Sequence, residues 1–131
     1  MENVEEKIVL RDVKSHCFDK SKKKVKVRSL LRFKNVKKTE KGVEMDIAFS
    51  LAKRNFNHEK REDIERVSNI LEERINKRPI ELRVSGENIR SAVNVAKNVV
   101  HRYMEEVSYK RTQDIKNETL KYHIHGNSNR V

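Results

Sequence analysis

Residues 24–51 read KVKVRSLLRFKNVKKTEKGVEMDIAFSL, and two alternating runs within them decide the fold. In the first run, Val25, Val27, Ser29, Leu31 and Phe33 fall on one side. Lys24, Lys26, Arg28, Leu30, Arg32 and Lys34 fall on the other. In the second run, Val43, Met45, Ile47, Phe49 and Leu51 alternate with Glu44, Asp46, Ala48 and Ser50. A period of two is that of a strand with one face buried and one face wet. The turn residues KTEKG between the runs join them as an antiparallel hairpin. Matching apolar to apolar sets Phe33 opposite Ile47 and Leu31 opposite Phe49. Lys34 then faces Asp46, Arg32 faces Ala48 and Arg28 faces Ala52, so only Lys34 gains an acidic cross-strand partner.

This hairpin also carries the charge. The chain of 131 residues has a formal net charge of +11. The stretch from Lys20 to Lys41 is almost purely basic, with Glu40 its single acid, and the rest of the chain is nearly balanced. A disordered cationic tail would not hold a register of apolar residues, so a floppy tail is excluded. A merely solvated strand face, with lysines guarding an edge against aggregation, needs one or two such residues and not a row. Same-face residues repeat at about 6.6 Å along a strand. That spacing suits successive phosphates of a nucleic acid, and phosphate contacts position a chain without reading its sequence.

The rest of the chain is sparse in loop formers, with three Gly and one Pro. Long regular elements with short connections are expected. Residues 1–20 are expected to form an N-terminal arm or short strand, with EKIVLRDV as the strand candidate. Residues 21–131 are expected to form a single α/β nucleic-acid-binding domain. A helix capped by Asn57 should carry Ile64, Val67, Ser68, Leu71 and Ile75 inward and stop at Pro79. IELRV should bury Ile80, Leu82 and Val84. A second helix, capped by Ser85, should bury Ile89, Ala92, Val93, Ala96, Val99, Val100, Tyr103, Met104 and Val107. VSYKRTQDI and TLKYHIHG read as a final pair of strands.

Few residues suggest catalysis. His123 and His125 share one side of a strand and could hold a divalent metal, with Tyr103 or Tyr109 as a nucleophile in the manner of a His-x-His nuclease. No acid is tied to them by spacing, and no metal or other cofactor is expected. Cys17 has no metal-binding or redox context, and a lone cysteine fits a reducing compartment. No apolar run approaches a membrane span or a signal sequence. The expected location is therefore intracellular, in cytoplasm, nucleoid or nucleus, without membrane association. No phosphate-cradling glycine loop is present. Aromatic residues make up 5% of the chain, so base stacking is not expected to dominate.

From Val43 onward the expected order of elements resembles the Alba family of nucleic-acid-binding proteins. It is also similar to the fold of the C-terminal domain of bacterial initiation factor three. The closest likeness lies in IELRVSGENIRSAVNVAKNVVHRYMEEV, where Gly86, Ile89, Ala92, Val93, Arg102 and Tyr103 match the family pattern. The resemblance implies nucleic-acid contacts by the basic pair Lys53 and Arg54 and near the Gly86 loop. In that loop Ser85 and Glu87 stand where the family has basic residues, and Arg83 and Arg90 lie close by. It implies pairing as a homodimer and a final hairpin that clamps a groove. The basic strand lies outside the family pattern.

The expected fold is thus an α+β sandwich, a small mixed sheet with two helices on one face and an added basic strand. The expected function is non-catalytic binding of DNA or RNA. Lys22, Lys23, Lys24, Lys26, Arg28, Arg32, Lys53, Arg54, Arg83 and Arg90 are the candidate contacts. The rival readings are an interaction subunit of a viral or ribonucleoprotein assembly whose basic face meets an acidic partner, and the His-x-His nuclease.

Overall fold

The computed structural model describes residues 8–19, 21–51 and 61–126. Its elements in chain order are β1 (Ile8–Phe18), β2 (Lys24–Thr39), β3 (Gly42–Leu51), α1 (Arg61–Lys77), β4 (Ile80–Gly86), α2 (Ile89–Tyr109), a 3-10 turn at Thr112–Asp114, and β5 (Leu120–Gly126). The five strands form one sheet in the order β1-β2-β3-β4-β5. The first four are antiparallel neighbours, and β5 returns parallel to β4. A parallel return needs a crossover, and α2 supplies it.

The hairpin register is the one the alternation requires. Phe33 pairs with Ile47, Leu31 with Phe49, Lys34 with Asp46 and Arg32 with Ala48. Val25, Val27, Leu31, Phe33, Val43, Met45 and Ile47 are buried under the helices. β1 adds Val13, Ser15 and Cys17 to that face, so the N-terminal strand belongs to the core and runs to Phe18. Two bulges interrupt the ladders, one after Leu10 and one after Lys34. Asn35 sits in the second with φ of +53°, a left-handed conformation that asparagine tolerates better than most residues.

Helix α2 lies on β1, β3, β4 and β5. Its inward stripe is Ala92, Ala96, Val100, Tyr103, Met104 and Val107, as the helical spacing predicts. Burying a Val- or Met-sized side chain is worth roughly 1.5–3 kcal/mol. Three such residues on one helix are therefore enough to hold it to the sheet. The N-cap is Asn88 and not Ser85: the Asn88 side chain accepts from the Ser91 N–H, while Ser85 remains in β4. From α1, Leu71 is buried and Ile75 half-buried in the same core, which places both helices on one face. Asn57, and the side chains of Ile64 and Val67, lie outside the described residues.

The expected final hairpin is absent. Its first half is the last turn of α2 and the 3-10 turn. Arg74 of α1 explains the difference. Its guanidinium donates to the carbonyls of Ser108 at 2.6 Å and Val107 at 3.5 Å, and to Thr112 Oγ1 at 3.1 Å. Lys77 Nζ donates to the Thr112 carbonyl at 3.2 Å. These cations satisfy carbonyls that a helix end leaves open. Ile115 then folds in against Tyr103 and Val107. Among the described residues no helix is long and apolar enough to cross a membrane.

Candidate nucleic-acid interface

Since the helices share one face, no described element covers the other face of the sheet, and β2 crosses it as a row of cations. Lys24, Lys26, Arg32 and Lys34 are exposed and Arg28 is half-buried. None of the five takes part in an ion pair. β1 sets Lys14 opposite Arg28, so the row is two strands wide there; His16, opposite Lys26, turns its ring edge-to-face onto His101 of α2 at 5.9 Å. Lys14 escaped the sequence reading because its strand was expected to end at Val13. Its only signal was the weak alternation of Lys14 and His16 with Ser15 and Cys17.

The face is polarised by what happens on β3 and β4. Lys34 stands opposite Asp46, yet the carboxylate is taken by others. Arg83 Nη1 donates to Asp46 Oδ1 at 2.5 Å and Nη2 to Glu44 Oε2 at 3.0 Å, while Asn35 Nδ2 donates to Asp46 Oδ2 at 2.8 Å. Lys121 pairs with Glu81 at 3.7 Å. Glu44, Asp46 and Glu81 are thus engaged within the β3–β5 half of the face, and among the described residues the cations of the β1–β2 half have no acidic partner. Burial pushes the Asp46 carboxyl up, but the bonds from Asn35 and Arg83 and the charges of Arg83 and Lys37 outweigh it and hold the group below its ordinary range.

A group with a depressed folded-state pKa stabilises above its unfolded value, near 4, and loses that contribution as the pH falls through the folded value. Asp46→Asn is therefore expected to lower stability at neutral pH by about 1 kcal/mol or less, given the partial exposure of the pair. Urea midpoints measured from pH 7 downward should converge with those of the unaltered chain as the pH falls below about 4. A gap that stays constant to pH 3 would mean that the Asp46 charge contributes nothing.

The other sequence-chosen cations scatter. Lys23 is exposed in the β1–β2 turn beside Lys24. Lys22 turns from the strand row to the end of α2, where its ammonium donates to the Tyr109 carbonyl. Arg83 lies on the face but is committed to Glu44 and Asp46. Arg90 follows Gly86, which pairs with Val43 at one end of the sheet, whereas Lys24 pairs with Phe18 at the other. Lys53 and Arg54 lie outside the described residues.

The histidine pair sits on the β5 edge. His123 and His125 are both exposed on the outer face, and His125 Nδ1 lies 2.9 Å from Ser85 Oγ on β4. Among the described residues no three His, Cys, Asp or Glu side chains converge as a metal site. Tyr103 is buried, its hydroxyl donates to the Arg78 carbonyl, and burial pushes its pKa up to about 12. Tyr109 packs on Phe18 of β1, the opposite edge strand from β5. Neither tyrosine is thus presented to the histidines. Cys17 is buried, and burial first, with the Asp19 charge behind it, pushes its thiol up to about 12. It is inert core at ordinary pH. No known protein family, curated protein or solved structure matches the chain.

Proposed function

We propose that the chain is a non-catalytic nucleic-acid-binding protein that holds the phosphate backbone on the β1–β2 half of its open sheet face. The observation that carries this reading is the row Lys24, Lys26, Arg28 and Arg32 with Lys14 beside it, without an ion-pair partner among the described residues while Glu44, Asp46 and Glu81 of the same face are engaged elsewhere. Neutralising five phosphates should give a slope of log affinity against log salt of about −4. A mobility shift on one oligonucleotide, as duplex, single strand and RNA across a salt series, tests it. Affinity that does not change with salt would favour the rival reading, an apolar interface with a protein partner in a viral or ribonucleoprotein assembly.

The resemblance to the Alba family belongs to this proposal and supports it through the segment from Gly86 to Tyr103. A homodimer is proposed with it. The half-buried Leu30 supports this less than its place on the basic face suggested. The edge of β5, which no other described strand pairs, and the partly exposed Val9 and Tyr122 support it more. A second copy would double the phosphate contacts along one nucleic acid. Light scattering at micromolar concentration is expected to give twice the chain mass of 15.6 kDa, and a mass that stays at the monomer value at every concentration would remove the dimer.

The non-enzymatic part is tested at the histidines. His123→Ala with His125→Ala is expected to leave nucleic-acid affinity within about twofold, since a phosphate contact there would show as a changed salt slope. Manganese-dependent cleavage of single-stranded DNA that the double variant lacks would make the chain a nuclease instead.

A further inference from the structure

We propose that Tyr109 is a platform on which a nucleobase stacks, which makes single-stranded nucleic acid the ligand of the basic face; this rests on the nucleic-acid reading above. Tyr109 is 55% exposed, the most open of the large apolar or aromatic side chains among the described residues. It is nevertheless held in place. Phe18 meets it edge-to-face with ring centroids 5.3 Å apart. The Lys22 ammonium lies 4.3 Å from its ring centroid and donates to its carbonyl. Phe18 is itself fixed, because its N–H donates to Ser108 Oγ at 2.8 Å.

The turn that delivers Lys22 is equally defined. Asp19 Oδ1 accepts the N–H groups of Ser21 at 2.8 Å and Lys23 at 3.0 Å. Lys22 adopts φ of +62° within that turn, which is what aims its side chain at the helix end. An exposed aromatic ring that is already ordered loses little freedom when something lies on it.

Its position selects the ligand. Phe18 pairs with Lys24, so Tyr109 stands at the end of the cationic row. Lys23 and Arg111 are exposed near it without ion-pair partners, and the neighbouring Glu106 is already engaged by Arg78 and Lys110. Every base has a π face, so stacking on such a ring tolerates any sequence. Bases inside a duplex are already stacked and cannot reach it. In the free chain the Lys22 ammonium occupies the ring. A base that takes its place releases that ammonium to the adjoining phosphate. One tyrosine would thereby add strand selectivity to a face that otherwise reads charge alone. Tyr122, the other exposed tyrosine, lies on β5 at the far edge of the sheet and is not part of this site.

Fluorescence anisotropy tests this with a short oligothymidylate, a short oligouridylate and a hairpin duplex of equal charge. Tyr109→Leu keeps an apolar side chain against Phe18 and is expected to weaken both single strands about tenfold, with unchanged salt slope and unchanged duplex affinity. Tyr109→Phe should behave as the unaltered chain, and thermal unfolding should show Tyr109→Leu to be folded. Independently of any variant, a single strand carrying 2-aminopurine should lose fluorescence on binding the unaltered chain. Equal single-strand affinity in Tyr109→Leu, equal losses on single strand and duplex, or no quenching would each overturn the platform. If binding still depends on the β2 cations in those cases, the phosphate reading stands and only the stacking falls. If no nucleic acid binds at any salt, both fall together.

Discussion

Replacing Lys24, Lys26 and Arg28 together by glutamate is expected to lower nucleic-acid affinity by roughly a hundredfold at about 0.1 M salt and to flatten the salt slope by about two on a single strand. Each removed cation forfeits one phosphate contact with its counterion release, and each added carboxylate repels the strand. Folding should survive, because Val25, Val27 and Ser29 point inward and hold the strand while the three cations make no ion pair. The control is Arg90, Lys97 and Arg102, exposed on α2, reversed in the same way. That triple changes net charge equally but lies on the helical side, so its affinity should stay within a few-fold. Equal losses in both triples would mean that binding follows net charge and has no site on the sheet. An unchanged affinity in the first triple would remove β2 from the interface.

The parts of the fold that were legible in the sequence are those in which one strand or helix carries its own signal. The hairpin register was readable because Phe33, Leu31, Ile47 and Phe49 are large and the turn is short. The stripe of α2 was readable because its apolar positions keep helical spacing from Ala92 to Val107. β1 was only half readable. Its buried positions include Ser15 and Cys17, while the large Phe18 stands on the other side, so the alternation runs against hydrophobicity. The end of α2 was misread because what decides it is remote: Arg74 and Lys77 capture carbonyls more than thirty residues away.

The same limit applies to the candidate site. The cationic row was visible at once, since its charge and its pleat lie in a single strand. Which acids would neutralise it was not visible. Lys34 faces Asp46 in the hairpin, but only the antiparallel pairing of β3 with β4 brings Arg83 to that carboxylate, in register at Asp46. A guanidinium with two carboxylates in bidentate reach outcompetes an ammonium on a long flexible stem. Tyr109 was hidden for a similar reason. It follows the stripe of α2 in sequence, and only the pairing of β1 shows that Phe18 and Lys22 meet it.

The largest effect on stability is expected at Gly42, where β3 begins. Gly42 pairs with Thr39 across the turn, and its φ is +144°, a conformation that residues with a side chain rarely adopt. A Cβ there would run into the Gly86 carbonyl oxygen and stand 2.8 Å from Glu87 Cα. Neither neighbour is free to retreat. Gly86 ends β4 directly beneath the first turn of α2, where its own Cβ would lie 2.8 Å from the Ala92 nitrogen. The β2–β3 turn, the end of β4 and the start of α2 therefore share one close contact made of backbone alone. Gly42→Ala must twist the turn or lift β3 from β4, and either costs about 3 kcal/mol. For a chain of this size that corresponds to a loss of roughly 10 °C in melting temperature. The cationic row lies further along β2, so nucleic-acid affinity below the lowered transition should be preserved. A melting temperature within about 2 °C of the unaltered chain would mean that the turn and α2 do not meet in this way.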